Sequence, residues 1–106
     1  MELRKKKCVP CEGGIPSLKE PEILSLLKQL KGWESIGDKK IVKSFRFINF
    51  KHTVEFVNKV AAIAEQEGHH PDLHVSYGSC RVELWTHAVN GLTENDFILA
   101  SKIDQL

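Results

Sequence analysis

Apolar residues recur along the chain with two different periods, and each change of period marks an element. Ile23, Leu26, Leu27 and Leu30 repeat at helical spacing, which predicts a helix over residues 19–30. Pro21 suits its first turn, where a missing N–H costs nothing, and Gly32 stands beyond its end. Residues 33–36 read as a short strand, Gly37-Asp38 as a turn and residues 40–47 as a second strand, in which Ile41, Phe45 and Phe47 alternate with Val42, Ser44 and Arg46. The longest periodic run predicts a helix over residues 49–67, capped by Asn49 and stopped by Gly68. Phe50, Thr53, Val54, Val57, Val60, Ala61 and Ala64 share one face of it. Phe56 and Ile63 widen the apolar surface beyond that stripe, which a second buried contact, with another subunit, would explain. Two strand-like runs follow, residues 73–77 and 80–86. The last helix begins at Thr93, which has the capping-box spacing to Asp96, with Leu92 and Phe97 placed as a hydrophobic staple. Ile98, Leu99, Ile103 and Leu106 spread apolar groups round much of its circumference.

The order is therefore α-β-β-α-β-β-α. Two hairpins and three helices predict an α+β fold, a four-stranded antiparallel sheet with the helices packed mainly on one face. At 106 residues and 42% hydrophobic content the chain suits one domain with one modest core, and a domain this small gains stability by oligomerising. Pro10, Gly13, Gly14 and Pro16 make residues 1–17 an irregular N-terminal extension.

Charge narrows the partners. The net charge is +1, and the one basic run, Arg4-Lys5-Lys6-Lys7, reads as a solvated tail, so no direct contact with nucleic acid is expected. No stretch approaches the ~18 consecutive apolar residues of a membrane span, and no secretory signal is evident. Three cysteines make no disulfide framework, so a reducing, cytoplasmic setting is expected. Cys8-Val9-Pro10-Cys11 could belong to a zinc site, a redox pair or an ordinary loop; no second pair supplies the remaining zinc ligands, and the loop is the expectation.

The chemistry gathers at Glu65-Gln66-Glu67-Gly68-His69-His70-Pro71-Asp72. Gly78-Ser79 suits a two-residue hairpin turn. That turn would pair Tyr77 with Cys80, Val75 with Val82 and Leu73 with Leu84 on one apolar face. Extended outward, it sets His70 opposite His87 on the other face, with Asp72, His74, Glu83 and Trp85. Imidazole both gives and takes protons near neutrality, and elimination of water needs one group to protonate a departing hydroxyl and another to accept a proton. Position after a helix C-terminus favours the cationic form of a histidine. Three readings of the cluster stay open: acid–base catalysis, a metal site of His70 and His87 with a carboxylate, or surface histidines without a role. Glu65 reads as a solvated helix residue and Asp96 as a helix cap that can also bind a ligand. His52 and His74 read as surface residues, Trp33 as core, and Trp85 as either a pocket wall or an interface residue.

Glu65-x-x-x-His69-His70-Pro71, the aromatic Tyr77, Thr86-His87 and Gly91-Leu92-Thr93-x-x-Asp96 together resemble the signature of the pterin-4a-carbinolamine dehydratases, and the resemblance runs from about residue 18 to the C-terminus. It implies dehydration of 4a-hydroxytetrahydropterin to quinonoid dihydropterin, which regenerates a tetrahydrobiopterin-type cofactor after aromatic hydroxylation. It implies His69, His70 and His87 as the acid–base set, with His69 and His87 moving protons and His70 holding the pterin. Glu65, Pro71, Thr86 and Asp96 fall at substrate-pocket positions. Neither a metal nor a cofactor is implied, and a homodimer or homotetramer is. Some members also stabilise the dimer of a transcription activator, so a protein-interaction module is the alternative. Gly68 stands where many members carry Asp or Asn, and Trp85 where many carry a small polar residue, so the pocket edge should differ there. His69 must also reach the pocket, which requires the chain to be still turning after Gly68.

Overall fold

Two hairpins joined through a long helix build the molecule. The computed structural model describes residues 3–9 and 16–106. The elements follow the expected order: α1 (Glu20–Leu27), β1 (Glu34–Ile36), β2 (Lys40–Arg46), α2 (Phe50–Glu67), β3 (Asp72–Ser76), β4 (Ser79–Leu84) and α3 (Glu94–Ile103). The strands form one antiparallel sheet in the order β1-β2-β4-β3, so β2 and β4 join the two hairpins at its centre. Short 3-10 turns at Leu3–Lys5 and His87–Val89 complete the elements. Cys11, half of the Cys-x-x-Cys pair, lies outside the described residues.

One layer of side chains fills the space between sheet and helices. Ile41, Cys80, Val82 and Leu84 project from the sheet to meet Ile23 of α1, Phe56 and Val60 of α2, and Phe97 and Leu99 of α3. Residues such as Ile41, Leu84 and Phe97 are wholly removed from water, each contributing about 1.5–3 kcal/mol of transfer free energy. Trp33 is core, as expected, and its indole N–H reaches the Asp104 carboxylate at 3.0 Å, tying the start of β1 to the end of α3.

Three expectations change in detail. Helix α1 stops at Leu27, and Gln29 and Leu30 continue it only as tighter turns, their N–H groups bonding to Leu26 and Leu27 carbonyls. The buried stripe of α2 is Thr53, Phe56, Val60 and Ala64, while Phe50 is 51% exposed. Phe56 therefore lies at the stripe's centre, its ring 4.7 Å from Phe45 and 5.0 Å from Phe47, and no second subunit is needed to account for it.

The third change is the hairpin register. Val75 pairs with Cys80, Leu73 with Val82 and Asp72 with Glu83, so the turn is Tyr77-Gly78 and the pairing is offset by two residues from expectation. An even offset keeps every side chain on its own face. Leu73, Cys80, Val82 and Leu84 still face the helices, whereas Val75 at the sheet edge and Tyr77 in the turn are exposed, and Asp72, His74, Glu83 and Trp85 still share the other side. What moves the turn is the rest of the fold. The Gly78 carbonyl accepts the Phe47 N–H at 2.8 Å, the Tyr77 carbonyl accepts the buried Thr53 hydroxyl at 3.0 Å, and β4 aligns with β2 over six residue pairs. A hairpin considered alone has none of these contacts. His70 and His87 are consequently not a cross-strand pair, because β3 begins at Asp72 and β4 ends at Leu84.

Helix α3 is buried at eight of its ten positions. A helix apolar round its circumference needs cover on both sides. The sheet and α2 cover one, and the turn Leu3–Lys5 packs on another, with Leu3 in the core and the Arg4 carbonyl accepting the Lys102 ammonium at 2.9 Å.

Candidate active site

The end of α2 sets the first histidine. Gly68 adopts the left-handed conformation (φ 65°, ψ 28°), which a residue with a Cβ takes up at a cost, and its N–H closes the helix on the Ala64 carbonyl. The chain turns sharply there, and the His69 N–H bonds to the same carbonyl at 3.2 Å. His69 is thereby directed inward, and its Nε2 meets the Asp96 carboxylate at 2.6 Å. The carboxylate accepts, so Nε2 carries the hydrogen and Nδ1 is left for a ligand.

Asp96 has no exposed surface. Burying a carboxylate is costly unless its oxygens are satisfied. Here they are: the second oxygen accepts the Thr86 hydroxyl at 2.8 Å and the Thr93 N–H at 3.0 Å, while the Thr86 and Thr93 hydroxyls stand 2.8 Å apart. The bond to Thr93 is the capping box of α3. One side chain thus closes a helix and anchors a histidine.

The chain leaving β4 presents the other wall. Thr86 and Gly91 exchange two backbone hydrogen bonds, 2.7 and 3.3 Å, which pinch off the 3-10 turn His87–Val89. Gly91 is needed for close packing, since a Cβ there would fall 2.8 Å from the Ser17 Cβ. His87 is exposed, and its ring stacks on Trp85 with centroids 3.9 Å apart and a 30° tilt. The Trp85 indole N–H donates to Asp72 at 3.2 Å. His70 Nε2 meets Glu65 at 2.6 Å, one helical turn back on α2, in an exposed pair.

His69, His70, Trp85, Thr86 and His87 line one cleft of about 270 Å³, with Val9 and Asn95 also on its wall. A larger depression of about 590 Å³ opens near Gln29, Lys43 and Asp104. It carries no histidine, and Lys43 pairs with Asp104 at 2.9 Å and Arg4 with Gln105 at 3.3 Å. Among the described residues no group of three or more His, Cys, Asp or Glu side chains is placed to hold a metal ion.

Of the seven residues singled out from sequence, four line the cleft, Asp96 stands buried behind His69, Glu65 pairs with His70, and Pro71 is not in the wall. Trp85, left open between wall and interface, is a wall residue. Thr93 was legible as a cap but not as a site residue. Asn95, beside Asp96, and Val9, far away in sequence, gave no local signal. Cys8 has a thiol pushed up to about 12, by burial first and the neighbouring Glu67 carboxylate next, so it is un-ionised near neutrality and a poor nucleophile.

On the sheet face turned away from the helices, Glu83 accepts from Arg81 at 2.9 Å and Lys40 at 3.0 Å. These hydrogen bonds hold its carboxyl below the usual range. No helix among the described residues is long and apolar enough to cross a membrane.

Residues 16–106 match the family described as Pterin 4 alpha carbinolamine dehydratase. A protein of Rickettsia canadensis (strain McKiel), provisionally named a pterin-4-alpha-carbinolamine dehydratase, is 54% identical over 103 residues, covering 96% of this chain and 94% of its own. A transcriptional coactivator/pterin dehydratase from Brucella melitensis, solved by crystallography, superimposes with a TM-score of 0.80 at 36% identity, covering 84% of this chain and 96% of its own. A pterin dehydratase-like protein identified as a RuBisCO assembly factor in the alpha-carboxysome shares the fold at a TM-score of 0.61 and 22% identity, covering 70% of this chain and 87% of its own.

Proposed function

The chain belongs to the pterin-4a-carbinolamine dehydratase family, and we propose that it removes water from 4a-hydroxytetrahydropterin by histidine acid–base catalysis, recycling a tetrahydrobiopterin-type cofactor. The observation that carries this reading is the convergence of His69, His70 and His87 on one cleft, with the buried Asp96 behind His69.

The substrate bears a hydroxyl on C4a and a hydrogen on N5. The hydroxyl oxygen must gain a proton as the C4a–O bond breaks, and N5 must lose one as the C4a=N5 bond forms. The two transfers balance: one imidazole ends a proton poorer, the other a proton richer, and solvent resets both. His69, with Nε2–H held by Asp96, offers Nδ1 as the acceptor for the N5 proton. His87, exposed and steadied by Trp85, delivers the proton to the hydroxyl. His70, at the rim and paired with Glu65, holds the pterin. Well-placed groups of this kind are each worth about 10²–10⁴ in rate.

Decay of freshly generated 4a-hydroxytetrahydropterin, followed spectroscopically, tests the reading. Wild type should accelerate it, and His69→Ala, His70→Ala and His87→Ala, each still folded, should slow it, His69→Ala and His87→Ala by about 10² or more. No acceleration by folded wild type would sink the proposal. The same reading includes a homodimer or homotetramer. Ile48, Phe50, Val75 and Tyr77 are large exposed apolar or aromatic residues that support it, and sedimentation at assay concentration would check it.

A further inference from the structure

The family match begins at residue 16, so residues 3–9 lie ahead of the residues it covers. They nevertheless reach the histidine cleft. The Val9 backbone pairs in both directions with the Asn95 side chain: its N–H donates to Oδ1 at 3.0 Å, and Nδ2 donates to its carbonyl at 2.6 Å. The Cys8 N–H donates to the Glu67 carboxylate at 2.9 Å. Asn95 immediately precedes Asp96, and Glu67 stands two residues before His69. The segment therefore clasps together the two helix ends that carry the His69–Asp96 pair. Its far end is anchored by Leu3, 3% exposed within the core. Its near end places Val9 on the cleft wall beside the histidines, with the residue 65% exposed.

We propose that residues 3–9 are a working part of this active site. Val9 supplies an apolar wall against one edge of the flat pterin bicycle and so sets affinity. The bonds from Val9 to Asn95 and from Cys8 to Glu67 position the His69–Asp96 pair and so act on rate. The proposal rests on the dehydratase reading above.

The test uses the full chain in the carbinolamine-decay assay, alongside binding of a 7,8-dihydropterin, which lacks the 4a-hydroxyl and does not react. Val9→Ala should raise KM and the dihydropterin Kd by about three- to fivefold with kcat within about twofold, since the lost apolar contact is partial. Val9→Ile should restore wild-type values. Asn95→Ala should lower kcat by about tenfold, because a small misplacement of a catalytic pair is felt in rate. His52→Ala, exposed on α2 far from the cleft wall, is the control and should change nothing. Wild-type KM, kcat and Kd in both Val9→Ala and Asn95→Ala would overturn the proposal. Should Asn95→Ala fail to fold, Val9→Ala and Val9→Ile decide by themselves, and a wild-type Kd in Val9→Ala then overturns it. A wild type that neither dehydrates nor binds dihydropterin refutes the functional reading, and this proposal with it, a result visible before any substitution is compared.

Discussion

Two histidine–carboxylate pairs of equal length serve one cleft in different surroundings. His69–Asp96 and His70–Glu65 both measure 2.6 Å, yet the side chains are 11% and 0% exposed in the first and 60% and 77% in the second. Distance alone would rank them equal. A hydrogen bond to a carboxylate is electrostatically stronger where water is excluded than where water competes for both partners. The exposed pair also orders two free side chains and is screened by salt. The buried carboxylate instead has three donors fixed around it before any substrate arrives. The inner pair is preorganised, whereas the outer pair is free to exchange its partner for a ligand.

Substitutions should pull the two pairs apart. Asp96→Ala removes a helix cap and strands buried donors, so it should cost about 3 kcal/mol in urea unfolding and at least about a hundredfold in turnover. Thr86→Val keeps the shape and deletes one donor to Asp96, and should cost about 1–2 kcal/mol by the same measurement, with a smaller loss of rate. Trp85→Ala frees the His87 ring and should lower kcat by about tenfold, with Trp85→Phe recovering most of it, as read from steady-state kinetics. Glu83 lies between the extremes, partly shielded and held by two cations. Its carboxyl is lowered on folding, so its stabilisation is complete above the ordinary carboxylate pKa and disappears as pH falls through the lowered one. Glu83→Gln should flatten that acid limb by about 1 kcal/mol in pH-dependent thermal melts. Glu65→Gln should be mildest, about 0.5 kcal/mol or less, with a KM change within about threefold that shrinks further in salt.

The elements that announced themselves in sequence were those whose cause is local. Asn49 and Gly68 bound α2, the Thr93 and Asp96 spacing starts α3, and alternation marks the strands; each effect acts within a few residues. Side-chain faces were legible because the period of two survives an even slip. The register itself was not, because Thr53 and Phe47 settle the Tyr77-Gly78 turn from other elements. The site divides the same way. The histidine stretch stands out as residues that can carry protons, and a turning chain at Gly68 is enough to bring His69 inward. His70 and His87 do share a cleft, but through the pinched loop at Thr86 and Gly91 rather than across a strand pair. The triple anchoring of Asp96 and the arrival of Val9 depend on contacts spanning α2, β4, α3 and the N-terminal segment, and no periodicity encodes those.

The capping box of α3 has a consequence for descent. The carboxylate that steadies His69 also closes the first turn of a helix buried at eight of ten positions. Selection for a folded chain therefore guards Asp96 whether or not the chemistry is still wanted. His87 and Glu65 are exposed and enjoy no such protection. A lineage that abandoned the reaction and kept the scaffold for another task would shed His87 and Glu65 first and Asp96 last. A retained aspartate by itself then records a fold, and only a retained His87 would speak for the chemistry proposed above.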